Sequence, residues 1–345
     1  MTTLSSRLLT PKRCAVILLL ALPIVSLLGL MTGPVFIPLT DMLSIILGGE
    51  GASSQEKLII EIIRLPRVVL SLIVGALLAT CGALLQGLFR NPLADPALIG
   101  VSAGASVGAS TMIVFGVLLS ANGILLGLTA ISLGAFVGAI ITSVIIFRLA
   151  TSPQGTSVAT MLLAGIAISA LAGAATNTMS YLADNDMLRR ISLWQMGNLQ
   201  GASWESVGLC AFVAGMLGAL IPRDTGALNA MLLGESEARH LGVNVEWLKR
   251  RLIIYSALGV AISVAVAGMI AFVGLMIPHL IRLLVGPDHR SLLPLSALAG
   301  AILLVAADAL ARVVIAPAEL PVGVVTALLG APFFLWLLVV QRGRS

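Results

Sequence analysis

The sequence predicts an all-α, polytopic membrane protein of about ten transmembrane helices, on three observations. Of 345 residues, 59% are hydrophobic and only 10% are charged, and the mean hydropathy of +1.09 lies far from that of soluble globular domains. The apolar runs are unbroken, whereas a closed β-barrel needs alternating polarity. Basic residues collect in the links between runs, so the net charge of +5 records topology rather than a nucleic-acid partner.

The first span, 14–33, follows Arg7, Lys12 and Arg13. Its apolar core is longer than that of a signal peptide and lacks a small-residue cleavage site, so it is expected to stay attached. The polar segment 34–63 reads as a connection holding a short amphipathic helix near 39–47. The second span, 66–89, begins between Arg64 and Arg67, and residues 68–89 are 22 positions without a formal charge, enough to cross a core of roughly 30 Å. Asn91-Pro92 stops it, because proline donates no hydrogen bond and restricts its predecessor. Asp95 then reads as an N-cap, with Pro96 at the first helical position of the span 97–119.

The spans 123–147, 159–181, 192–221 and 251–272 follow. Small residues at 100, 103, 104 and 108, and at 134 and 138, allow close helix packing. The span 273–285 is short and carries Pro278, His279 and Arg282; Pro278 is expected to bend it, and His279 to satisfy carbonyls freed by the kink. The last two spans are 292–313, with Asp308 one turn from Arg312, and 321–340, with a break signal at Gly330-Ala331-Pro332. Cys14, Cys81 and Cys210 lie far apart inside apolar runs and read as small buried hydrophobes. His240, His279 and His289 are too scattered for a metal site.

Starting inside and turning once per span puts both termini in the cytoplasm. The inside then holds Arg7, Lys12, Arg13, Arg90, Arg148, Arg223, Arg239, Lys249, Arg250, Arg251, Arg282, Arg290, Arg342 and Arg344. The outside holds only Lys57, Arg64, Arg67, Arg189, Arg190 and Arg312. That is the bias of the positive-inside rule.

Residues 222–250 form a long polar insert on the inner side. Residues 227–233 read as one or two helical turns broken at Gly234. Glu235, Ser236 and Glu237 open a second short helix that Arg239 and His240 close, matching the helix dipole, with Gly242 as a C-terminal stop. Such a knob suits a groove on a partner. The chain lacks a P-loop, since none of Lys12, Lys57 and Lys249 follows a glycine, so energy must come from another subunit or an ion gradient.

These segments together resemble the FecCD family, the permease subunits of type II ABC importers that take up haem, ferric siderophores and cobalamin. The resemblance covers about residues 14–342 and rests on 64–67, 82–104, 233–242, 274–282 and 319–332. It implies one transmembrane permease domain over 1–345, with 222–250 as a coupling insert. The chain would be a transport subunit rather than an enzyme, without a cofactor or metal. The implied partners are a second copy in a homodimer, two ATPase subunits, a periplasmic substrate-binding protein and the lipid bilayer, in a bacterial inner membrane. The run Asn91-Pro92-Leu93-Ala94-Asp95-Pro96-Ala97-Leu98-Ile99-Gly100 resembles the haem permeases most, so haem is the expected cargo, with a ferric siderophore or cobalamin as alternatives.

The resemblance also implies site residues. Arg64, Arg67 and Arg312 are expected on the outer surface, docking acidic groups of the binding protein; internal pairs Arg312–Asp308 and Arg64–Glu61 are the plainer alternative. Gly234, Glu235, Glu237, Ala238, Arg239, Leu241 and Gly242 are expected to couple to the ATPase, and Thr156 and Ser157 to form a cytoplasmic gate. Arg189 and Arg190, beside Asp184 and Asp186, either meet an anionic cargo or form a local ion-pair cluster. Met161, Met179, Met187 and Met196 offer soft contacts to a porphyrin, with Met179 placed beside Arg189 and Arg190 on the pathway. An ion-coupled transporter would need titratable groups near mid-membrane, and apart from Asp308 almost none are present. A purely structural membrane subunit is the other rival.

Overall fold

A computed structural model describes residues 8–35, 37–46, 53–119, 127–153 and 155–342. Among them, eight helices are long and apolar enough to cross a membrane, and two shorter apolar helices complete the predicted all-α set. In chain order the helices are α1 (Pro11–Met31), α2 (Leu39–Ile46), α3 (Ser54–Leu58), α4 (Leu65–Leu88), α5 (Val101–Leu119), α6 (Gly127–Ala150), α7 (Val158–Leu182) and α8 (Asn185–Gln195). Then follow α9 (Trp204–Leu220), α10 (Thr225–Met231), α11 (Glu235–His240), α12 (Val245–Ala267), α13 (Val273–Val285), α14 (His289–Val313) and α15 (Val322–Arg342). Arg7, Arg344 and the first residues of the span expected at 123–147 lie outside the described residues.

Helix α4 is the axis. It is the most buried of the spans, while α1, α6 and α7 bury least. Lipid gives helices no hydrophobic reason to associate, so contact depends on how closely backbones approach. Gly75 of α4 faces Gly300 of α14, and Gly82 faces Gly274 of α13, where an added Cβ would sit 1.8 Å from the Gly274 carbonyl oxygen. In the same way Gly104 and Gly108 of α5 interlock with Gly138 and Gly134 of α6, as the small-residue spacing predicts.

Several boundaries differ from expectation, each for a local reason. The segment before α4 is helical: Ser53 and Glu56 form a reciprocal capping box, α3 follows, and a π-helical stretch Ile59–Arg64 runs into α4. The span expected at 192–221 is broken, because Gly197 takes a left-handed conformation (φ +74°) and Asn198 donates its amide to the Ala267 carbonyl. Ser203 then caps α9. The span expected at 251–272 ends early, at Ala267, where Gly268 turns left-handed (φ +66°). A 3-10 turn, Pro96–Ile99, separates the Asp95 cap from α5. Helix α15 passes through the expected break at Pro332. His279 does not satisfy a kink carbonyl; neither ring nitrogen has a partner, and the ring packs edge-on against Phe333. Gln86 of α4 donates to the Leu275 carbonyl and accepts from Arg282.

The glycine contacts make a direct prediction. Gly82→Ala should destabilise the protein by about 1–3 kcal/mol through overpacking, whereas Gly208→Ala, which meets nothing within 4 Å, should be neutral or slightly stabilising. Thermal unfolding in detergent checks the pair; equal Tm values would refute the backbone-contact account.

Candidate functional site

Two charged clusters and one cavity stand out. The first cluster lies at the end of the molecule where α1 finishes and α4 begins. Arg67 binds Asp308 through Nε and Nη2, the latter at 2.8 Å, and Glu319 through Nη1 at 2.9 Å. Arg312 contacts Asp308 at 3.2 Å and donates to the carbonyls of Thr32 and Gly29 at 3.0 and 2.7 Å. Arg64 donates to the carbonyls of Leu30, Met31 and Val35.

This corrects the expected surface exposure: Arg64, Arg67 and Arg312 are 4, 5 and 2% exposed. Their guanidinium forks satisfy acids and carbonyls of their own chain, because a charge buried this deeply needs a partner. The Arg312–Asp308 pair forms as anticipated, whereas Arg64 ignores Glu61. Glu319, in the link between α14 and α15, is opposed by burial, yet Arg67, Gln200 and Arg312 hold its carboxyl below the ordinary value.

The second cluster is the insert. Asn229 of α10 accepts from the His289 backbone at 2.9 Å and donates to Asp288 at 2.6 Å, tying the insert to the start of α14. Gly234 (φ +124°) turns the chain into α11, and Gly242 (φ +84°) turns it out. Ala238 is buried against the protein while Glu237, Arg239 and Leu241 point outward, and Leu232 and Leu233 add apolar exposure. Glu235 meets Lys249 of α12 at 2.8 Å. Beside the insert, Thr151–Ser152 and Gly155–Thr156 pair antiparallel as a two-strand hairpin. Thr156 is buried within it, and exposed Ser157 caps α7. The structure thus brings the two expected inner sets together.

The expected pathway residues are scattered. Arg190 pairs with Asp186 at 3.0 Å on the exposed face of α8, so the local ion pair forms; Arg189 is exposed and Met179 half-buried on α7. Met161 is core. Sequence reading missed a cavity of about 370 Å³ lined by Asp95, Gln195, Met196, Met269, Phe272 and Gly323 among others. Its walls come from five separated stretches of chain, and the only local hints were Asp95 in an apolar setting and Met196.

The sequence profile of the FecCD transport family matches residues 19–340. The chain belongs to the FecCD transport family. Over 283 residues it is 49% identical to the hemin transport system permease protein HmuU of Yersinia pestis, covering 81% of this chain and 83% of that one. It is 43% identical over 295 residues to the cobalamin import system permease protein BtuC of Halobacterium salinarum, covering 86% and 77% of the two chains. A solved structure described as a metal-chelate type ABC transporter in an inward-facing conformation superposes with a TM-score of 0.81 at 32% identity, over 96% of this chain and 99% of that one. As a FecCD member the chain is an ABC importer permease, a transport subunit rather than an enzyme, and a multi-pass membrane protein.

The buried FecCD ion network should be structural. Asp308→Asn removes the charge shared by two buried arginines and should cost about 3–5 kcal/mol. Arg190→Ala breaks an exposed pair and should cost about 0–1 kcal/mol. Equal effects on thermal unfolding would overturn this ranking.

Proposed function

We propose that the chain is the permease subunit of an ATP-driven haem importer of the bacterial inner membrane. It works as a homodimer with two ATPase subunits and a periplasmic binding protein, with both termini cytoplasmic and 1–345 as one domain. The observation that carries the coupling role is the insert: it presents Leu232, Leu233, Leu241 and Glu237 outward while its inner face is bonded to α12 and α14. ATP-driven closure of the motor subunits pushes on this knob, and the two-strand hairpin with Ser157 gates the cytoplasmic mouth.

The homodimer is supported by α7. Its exposed side carries Thr160, Asn177 and Thr178 among Leu163, Ile166 and Leu171, and an amide facing hydrocarbon alone is costly. Against a second copy, that face lines a shared pathway with Met179, Arg189 and Arg190 near its outer mouth. Haem as cargo is supported by the identity to HmuU and by a cavity mostly apolar with a single acid and two methionine side chains, which suits a flat porphyrin better than a hydrophilic chelate. Cobalamin is the second reading, favoured by the BtuC relatives.

ATP-dependent uptake into liposomes holding the permease, its ATPase and its binding protein tests this directly. Haem should accumulate and compete out cobalamin; accumulation of cobalamin alone would reverse the assignment. Docking gives a further prediction. Glu319 is the least buried charged member of the Arg67 network, its side chain 18% exposed, so it is the group with which a carboxylate of the binding protein exchanges. Glu319→Gln removes the competing charge and should tighten docking about threefold. Weaker binding by calorimetry would defeat this exchange.

A further inference from the structure

We propose that Lys249 is a positioning residue that interlocks the gate hairpin with the coupling insert, an inference that rests on the permease reading above. Lys249 lies in the second turn of α12 and its side chain is 4% exposed. Its ammonium donates to the Thr156 carbonyl of the hairpin at 3.0 Å and to Glu235 at the start of α11 at 2.8 Å, with Glu246 of its own helix at 3.4 Å. An ammonium has three donors, and here each has an acceptor from a different segment.

The same residues close the link from the other side. Glu246 accepts the Thr156 amide at 2.8 Å, so both backbone groups of Thr156 are held by this cluster. Gly155 (φ +121°) lets Glu246 approach, since an added Cβ there would lie 2.8 Å from Glu246 Oε1. Arg239 of α11 reaches Glu235 and Glu246 at 3.8 and 3.6 Å, which balances the two acids with two bases. A buried cation cannot lose its acceptors cheaply. Displacing α11 therefore either carries Thr156 along through Lys249 or strands the ammonium. The insert and the hairpin move as one unit, with the ammonium as the joint.

The test uses the full permease–ATPase complex in lipid nanodiscs. Ser152→Cys places a thiol on the exposed hairpin, and Cys14, Cys81 and Cys210 are all buried, so a polar maleimide reads the hairpin. Labelling rates are compared without nucleotide and after trapping with ADP and orthovanadate. The rate should change with nucleotide state in the Ser152→Cys background. Lys249→Met and Glu235→Gln should each cut that response roughly tenfold, the worth of one charge-assisted buried hydrogen bond. The double variant should lose no more than either single one, and Lys249→Arg should recover part of the response.

A merely structural brace would lower the thermal stability of these variants and leave the nucleotide response intact. Glu235→Gln keeps the test valid should Lys249→Met fail to fold. Full response in the variants that fold would overturn the interlock alone. A hairpin indifferent to nucleotide in the Ser152→Cys background would overturn both the gate reading and the interlock built on it.

Discussion

Close backbone approach around α4 is the constraint on which the rest of this molecule depends. In a bilayer each helix satisfies its own backbone, and apolar side chains gain little by leaving lipid for one another. What remains is dispersion over a well-fitted surface, which grows as helices draw nearer. Glycines at 75 and 82 let α14 and α13 lie directly on α4. Once those contacts exist, the C-terminal end of α14 brings Asp308 and Arg312 to Arg67, and its N-terminal end brings His289 to Asn229.

Charge is then placed only where that packing delivers a partner. At the α4 entrance, three arginines share two acids and a set of free helix-end carbonyls from α1 and the segment beyond it. At the opposite end, two acids and two bases surround Thr156. Both clusters are tethers between segments far apart in sequence, and their buried charges are met by acids, bases and carbonyls of the same chain. Between them the described spans carry little charge: Arg282 of α13 is held by Gln86 of α4, and Asp95 borders the cavity from the link before α5.

Much of this was legible in the sequence, because hydrocarbon permits few backbone solutions. The spans followed from uncharged runs, and the short span expected at 273–285 has those bounds in α13. The two-helix insert was legible from charge placed along the dipole. Arginine burial was not: Arg67 lies 241 positions from Asp308, and no local pattern announces such a meeting. The break after Gln195 was hidden because Met196, Gly197 and Leu199 continue the apolar run, while Gly197 donates its amide to the Trp194 carbonyl and Asn198 to that of Ala267. The helix before α4 was foreseeable from Ser53 and Glu56, which carry the capping-box spacing.

The glycine seam between α5 and α6 limits where the molecule can change shape. Gly104 against Gly138 and Gly108 against Gly134 leave no room for one helix to slide along the other without backbone collision. The two helices must travel as a single plank. The irregular backbone at 89–100, 196–203 and 268–272 lies outside this plank, and each of these stretches lends wall residues to the Asp95 cavity. The chamber can therefore change volume while the helices around it keep their length and their neighbours.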